Sequence, residues 1–271
     1  MNKTSLSLLL LTTLVISCSK SDTTTPAPTT VKQWTIAMSA KNENPAPASR
    51  TETGTAVLEL LSDNSLKYTI TVVGLTSGDA IVAAHLHVGN VISSGGVIQD
   101  LSPVFNGGSA TGTVTNLRST LVDSLKDDVN DIYVNAHSTQ VGSGLIRGQL
   151  NAKLDMVADV VLLGANEVPA TTTTATGLAL IRLTTSKQLY VKITSSGIEA
   201  GDAFTAAHIH KAAVGVNGSV LVGFYANNAD FGTTKIITVD DATFASLKAD
   251  PIYVNAHSTS KAGGLIRGQI R

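Results

Sequence analysis

Six histidines occur in the chain, and all of them lie in four short stretches: "AAHLH" at 83–87, "AAHIH" at 206–210, and "YVNAHS" at 133–138 and again at 253–258. On a strand, alternate side chains share a face, so His85 and His87 project together while Leu86 points the other way. Leu86 suits a core, which sends both imidazoles outside it. By the same parity Val134 and Ala136 face inward, while Tyr133, Asn135 and His137 face outward. If the two histidine strands are neighbours, His85, His87 and His137 converge. Three neutral imidazoles form a site for zinc or copper, with a fourth position open to water or an anion. The second copy supplies His208, His210 and His257 in the same way.

A second group of residues accompanies each cluster. In "GLIRGQL", Ile146 and Leu150 face inward, and Arg147 and Gln149 outward. Arg147, and its counterpart Arg267, could draw a small anion toward a metal. The competing reading is structural: the guanidinium locks its strand to a carbonyl or to a carboxylate, with Glu43 and Glu167 as partners, each lying ahead of a proline turn. On that reading the histidines, with Asn135 and Asn255, satisfy loop and strand-edge backbone groups and hold no ion. Both readings stand at this level.

Other chemistries are excluded more firmly. Cys18 is the only cysteine, so the folded part has no disulfide, thiolate metal site or cysteine nucleophile. No "GxSxG" elbow is present, and Ser138 directly follows His137, which sets it on the opposite face. Phosphate-loop and dinucleotide glycine patterns are missing from the strand-to-helix context they need. A formal charge of -1 with no basic cluster argues against nucleic acid as a partner.

The elements that must position these residues are duplicated. Residues 131–150 and 251–270 share 14 identities in 20 positions, and the two "AAH" motifs lie 123 residues apart. A repeat of that length is a domain, and we place the two at 34–151 and 154–271. Within the first, Ala56, Leu58 and Leu60 alternate with polar or variable positions, "SDNS" turns, and Leu66, Tyr68, Ile70 and Val72 alternate on the return, which predicts a hairpin. Ala179, Ile181 and Leu183, "TSKQ", then Leu189, Val191 and Ile193 predict its twin. One helical turn is expected in each copy, at 119–128 and in "DDATFASLKAD", with Asp241 as N-cap of the second. The expected class is all-β: two tandem Greek-key-like β-sandwich domains, with a partly closed barrel as the variant.

The N-terminus reads as an address. Lys3 precedes "LSLLLLTTLVIS", a run too short to span a bilayer comfortably, and "LVISC" resembles the bacterial lipoprotein lipobox. That resemblance implies a signal peptide at 1–17, acylation of Cys18 and a lipid anchor in the cell envelope, facing an unknown periplasmic or extracellular partner. Residues 18–33, small, polar and proline-containing, suit a flexible tether.

"NEVPATTTTATGLALI", "AAHIHKAAVGVNGSVLV" and "IYVNAHSTSKAGGLIRGQI" resemble the CHRD (chordin-type) domain, and the resemblance covers nearly the whole mature chain as two copies. In the first copy "HVGNVISSGG" departs from the usual glycine spacing, and both copies have leucine where the family often has glutamate before "IRG". The resemblance implies an extracellular β-domain with no established enzymatic activity. A looser similarity, in the order of a glycine-rich strand, an HxH strand, a later histidine strand and a late arginine, is to copper-zinc superoxide dismutase. The chain has neither a bridging histidine between the two motifs nor a cysteine pair. Three functions follow from these expectations: a binding module holding metal or a partner, a structural or adhesive module, and a superoxide dismutase-like mononuclear copper enzyme.

Overall fold

The computed structural model describes residues 26–128 and 131–271, so the expected signal peptide at 1–17 and Cys18 lie outside the described residues. Domain 1 runs β1 (Thr30–Ser39), β2 (Thr53–Leu61), β3 (Leu66–Val73), β4 (Ile81–Val88), β5 (Val97–Asp100), β6 (Ser109–Val114), α1 (Ser119–Asp127), β7 (Ile132–Ser138) and β8 (Ile146–Gln149). Domain 2 repeats the order with β9 (Leu154–Leu163), β10 (Thr176–Thr184), β11 (Gln188–Ser196), β12 (Phe204–Lys211), β13 (Ser219–Tyr225), β14 (Lys235–Thr238), α2 (Asp241–Ala249), β15 (Ile252–Ser258) and β16 (Ile266–Gln269). β1 starts inside the stretch read as tether because Thr30 and Lys32 already ladder onto Leu61 and Leu60.

Each domain is one antiparallel eight-stranded sheet, in the order β5-β4-β7-β8-β1-β2-β3-β6 and its counterpart β13-β12-β15-β16-β9-β10-β11-β14. The seam between the two halves is narrow: β1 meets β8 at the Ser39–Arg147 pair, and β9 meets β16 at Leu163–Arg267. Around that seam the sheet curls until its apolar faces meet over one core. The product is the partly closed form of the expected sandwich, because the seam stays hydrogen-bonded instead of separating two sheets.

The predicted hairpins supply much of that core. Ala56, Leu58, Leu60, Leu66, Ile70, Ala179, Ile181, Leu183, Leu189, Val191 and Ile193 are all completely buried. Burial of one leucine or isoleucine side chain contributes about 1.5–3 kcal/mol. Truncating Leu58 to alanine therefore costs about 2–5 kcal/mol, since a cavity is left as well. The turns close through Asn64 and Lys187, both with positive φ near 60°. Leu121, Val122 and Leu125 of α1 and Leu247 of α2 pack on the sheet. The α2 N-cap is Asp240, whose carboxylate accepts from Thr243 N–H, and Asp241 is instead the first helical residue.

A buried arginine joins the domains. Arg182 on β10 donates through Nη1 to Asp159 Oδ1 at 2.6 Å and through Nη2 to the Glu43 carbonyl at 3.0 Å, and Asp159 Oδ2 accepts from Ala46 N–H at 2.9 Å. Among the described residues no helix is long and apolar enough to cross a membrane.

Candidate metal centre

β4 and β7 are adjacent and pair His85 with Asn135, Leu86 with Val134 and His87 with Tyr133. The expected parity holds: Leu86, Val134 and Ala136 are completely buried in the core, and the three imidazoles lie on the opposite face. One ring nitrogen from each of His85, His87 and His137 lies within 4.8 Å of the others, and the same is true of His208, His210 and His257. A tetrahedral ion with metal–nitrogen bonds of about 2.05 Å needs nitrogens about 3.3 Å apart, so a small inward ring rotation completes either set.

The tautomers are fixed by carbonyls, which only accept. His87 Nδ1 donates to the Gly95 carbonyl at 3.0 Å and His137 Nδ1 to the Gly142 carbonyl at 3.0 Å. Their Nε2 atoms are therefore unprotonated, and that of His137 faces His85 Nδ1. The counterparts are His210 Nδ1 to Gly218 at 3.0 Å and His257 Nδ1 to Ala262 at 2.9 Å. His87 Nε2 and His210 Nε2 are buried and have no hydrogen-bond partner. A buried acceptor without a partner is costly unless something fills the position it faces. The third ring lies beside the second, with His85 Nδ1 3.0 Å from His137 Nε2 and His208 Nδ1 3.1 Å from His257 Nε2. Burial holds His87, His137, His208, His210 and His257 below the usual histidine range, outweighing the carbonyl hydrogen bonds that pull His87, His137, His210 and His257 upward. These five rings are neutral at pH 7, the form that ligates metal.

The supporting residues are built across the same strands. Tyr133 stacks between His87, ring centroids 4.9 Å apart, and the Arg147 guanidinium, 3.5 Å from its ring. Tyr253 does the same between His210 and Arg267, at 4.8 and 3.4 Å. Arg147 and Gln149 do point away from the core, yet a loop covers them and both are buried. Arg147 donates to the carbonyls of Asn90 and Ser93 and to Gln149 Oε1. Arg267 donates to Asn217 Oδ1 and to the Val216 carbonyl. Glu43 accepts instead from Asn135 Nδ2, at 2.8 Å. Among the described residues, neither arginine forms an ion pair with Glu43 or Glu167. Burial pushes Glu43 and Glu167 up to about 7, against the pull of Arg147 and Asn135 on the first and of Asn255 and Arg267 on the second.

Three supports escape a search for ligand types. A Cβ at Gly95 or Gly218 would come within 2.0 Å of the Val88 or Lys211 carbonyl, so glycine is what lets the turn reach His87 or His210. Both lie eight residues after their histidine, which shows that the irregular spacing in the first copy preserves the contact that counts. Gly144 and Gly264 clear space for Asn135 with Glu43 and for Glu167. Asp79 receives Ser138 Oγ, Thr139 Oγ1 and Gln140 N–H, and Asp202 receives Ser258 Oγ, Thr259 Oγ1 and Ser260 N–H. Each aspartate fixes the loop whose carbonyl orients the third histidine. The signal available in sequence was "GDA", repeated at 78–80 and 201–203.

No curated protein and no solved structure matches the chain. Residues 34–150 and 158–270 each match the CHRD domain family. With two matches that span both histidine clusters and together cover most of the sequence, the chain belongs to the CHRD domain family as a tandem protein.

Proposed function

We propose that this protein is a lipid-anchored binding module of the bacterial cell envelope whose two CHRD domains each hold one zinc or copper ion on three histidines. The observation that carries this reading is the orphaned Nε2 of His87 and of His210, each buried beside two further imidazoles. His85, His87 and His137 would hold one ion, and His208, His210 and His257 the other. A bound divalent ion supplies a fixed positive charge with room for an exogenous ligand. Arg147 and Arg267 support the cluster by fixing Tyr133 and Tyr253 and by tying down the loops over β8 and β16. "LVISC" supports an anchor at Cys18, and loss of fatty-acid labelling in Cys18→Ala is its test.

One observation favours a purely structural role: the His85–His137 and His208–His257 contacts give two rings of each cluster a partner without any ion. Elemental analysis of the full chain, stripped with chelator, equilibrated with zinc or copper and desalted, separates the two readings. Two equivalents are expected, falling to one in His85→Ala/His87→Ala and to one in His208→Ala/His210→Ala. Stoichiometry unchanged by these substitutions, or no retained metal, leaves the structural role. A superoxide assay on copper-loaded protein tests the enzymatic alternative.

A further inference from the structure

The two clusters differ at one position beside the ligands. β5 pairs Asp100 with His85, whereas β13 pairs Gly223 with His208, and the two positions are 123 residues apart, matching the AAH motifs. Asp100 Oδ1 lies 3.7 Å from His85 Nε2 and is held there by the Ser102 N–H at 2.7 Å. Across from His208 there is only the glycine.

Without metal, His85 Nδ1 faces an acceptor, the unprotonated Nε2 of His137, and so carries its ring's proton. Ligation through Nδ1 requires that proton to sit on Nε2 instead, with water carrying it from one nitrogen to the other. In domain 1 the relocated N–H points at a carboxylate, which orients the ring and makes the ligating nitrogen more basic. In domain 2 the paired position is Gly223, which has no side chain to accept the corresponding N–H.

We infer that Asp100 is a positioning residue that makes the domain 1 centre the tighter of two unequal metal sites, and that Gly223 leaves the domain 2 centre the weaker. This rests on the metal-binding reading above. Removal of such an outer carboxylate typically weakens metal binding about 10–100-fold, which sets the expected gap between the sites. The exchange can also be run in reverse: a Cβ at Gly223 would lie 3.4 Å from His208 Cδ2, in ordinary contact, and Gly223 has no positive φ. Gly223→Asp therefore supplies the missing carboxylate without backbone strain.

The test is zinc titration of the full chain against a competing chelator, with His208→Ala/His210→Ala isolating the first site and His85→Ala/His87→Ala the second. Domain 1 should bind at least tenfold more tightly. Asp100→Ala should erase that gap, with only a small drop in the denaturation midpoint of the metal-free protein from loss of the Ser102 N–H bond, and Gly223→Asp should tighten domain 2. Histidine 15N shifts of the zinc form should place the remaining ring proton of His85 on Nε2. Equal affinities in the wild type, or an Asp100→Ala protein with its gap intact, overturn the inference while two bound zinc ions keep the metal reading. Absence of zinc from both sites overturns the reading beneath it.

Discussion

The two domains share their histidine clusters nearly atom for atom and differ in what surrounds them. In domain 1, Arg50 joins Glu52 and Asp79, three charged groups drawn largely out of water. At the position 123 residues on, domain 2 has Thr173, which donates to Glu199 at 2.9 Å on the surface. Glu59 pairs with Lys67 at the surface of domain 1, whereas its counterpart Arg182 is completely buried against domain 1. The difference teaches which features belong to the site. The carbonyls that orient the histidines, the Tyr–Arg stack, the aspartate under the loop and the close-approach glycines occur twice; the ion pairs that stabilise each domain's periphery occur once.

The largest expected effects test the shared part. Gly144→Ala and Gly264→Ala put a Cβ within 2.6 Å of Asn135 Nδ2 or of the Glu167 carboxyl, at φ of +133° and +140°. Each should cost about 3 kcal/mol or more through overpacking and backbone strain, and equal losses are expected. Trp34, the only tryptophan, reports domain 1 by fluorescence, and circular dichroism reports both. A loss confined to one domain would break the equivalence.

Arg50→Ala comes next and should separate the domains. It leaves two buried carboxylates without their cation, at a cost of about 3 kcal/mol. Thr173→Ala removes the bond to Glu199 and the one accepted from the Ala175 N–H and should cost about 1–2 kcal/mol, less than Arg50→Ala. Similar losses at the two positions would contradict the difference drawn here.

Acidity gives a third test. Burial raises Glu43 and Glu167 from 4.5 to about 7, so folding favours their protonated forms. Their contribution is complete below pH 4.5 and is lost as pH rises toward 7, by about 3 kcal/mol per group at most. Glu43→Gln should flatten that part of the pH–stability profile for domain 1 only, and Glu167→Gln for domain 2 only. Denaturation at a series of pH values measures it; an unaltered slope in the variants rules out these carboxyls as its source.

The smallest effect lies at the helices. Asp240 caps α2, whereas Arg118 precedes α1 with no side-chain cap. Asp240→Ala should cost about 1 kcal/mol and Arg118→Ala less than about 0.5 kcal/mol, read from denaturation midpoints.

Period-2 patterning made the hairpins, the core residues and the outward parity of the histidines legible, since a strand with one buried face leaves few alternatives. Duplication made the grouping of His85, His87 and His137 legible, because it repeated both histidine strands in one order. Partners that are distant in sequence were harder to read. Arg147 has its opposite charge in Glu43, but loop carbonyls from 90–93 reach its guanidinium first. Asp79 was passed over because its role depends on the path of the loop after β7. The misplaced cap at Asp241 came from two adjacent aspartates, between which only the backbone angles decide.

X-ray absorption at the zinc edge of the fully loaded chain tests the central claim most directly. The account predicts about three imidazole nitrogens per zinc near 2.0 Å at two ions per chain, with the zinc content halved and the imidazole shell of the remaining ion kept in His85→Ala/His87→Ala. A shell of oxygen ligands without imidazole scattering, or a zinc content unchanged in that variant, would contradict it.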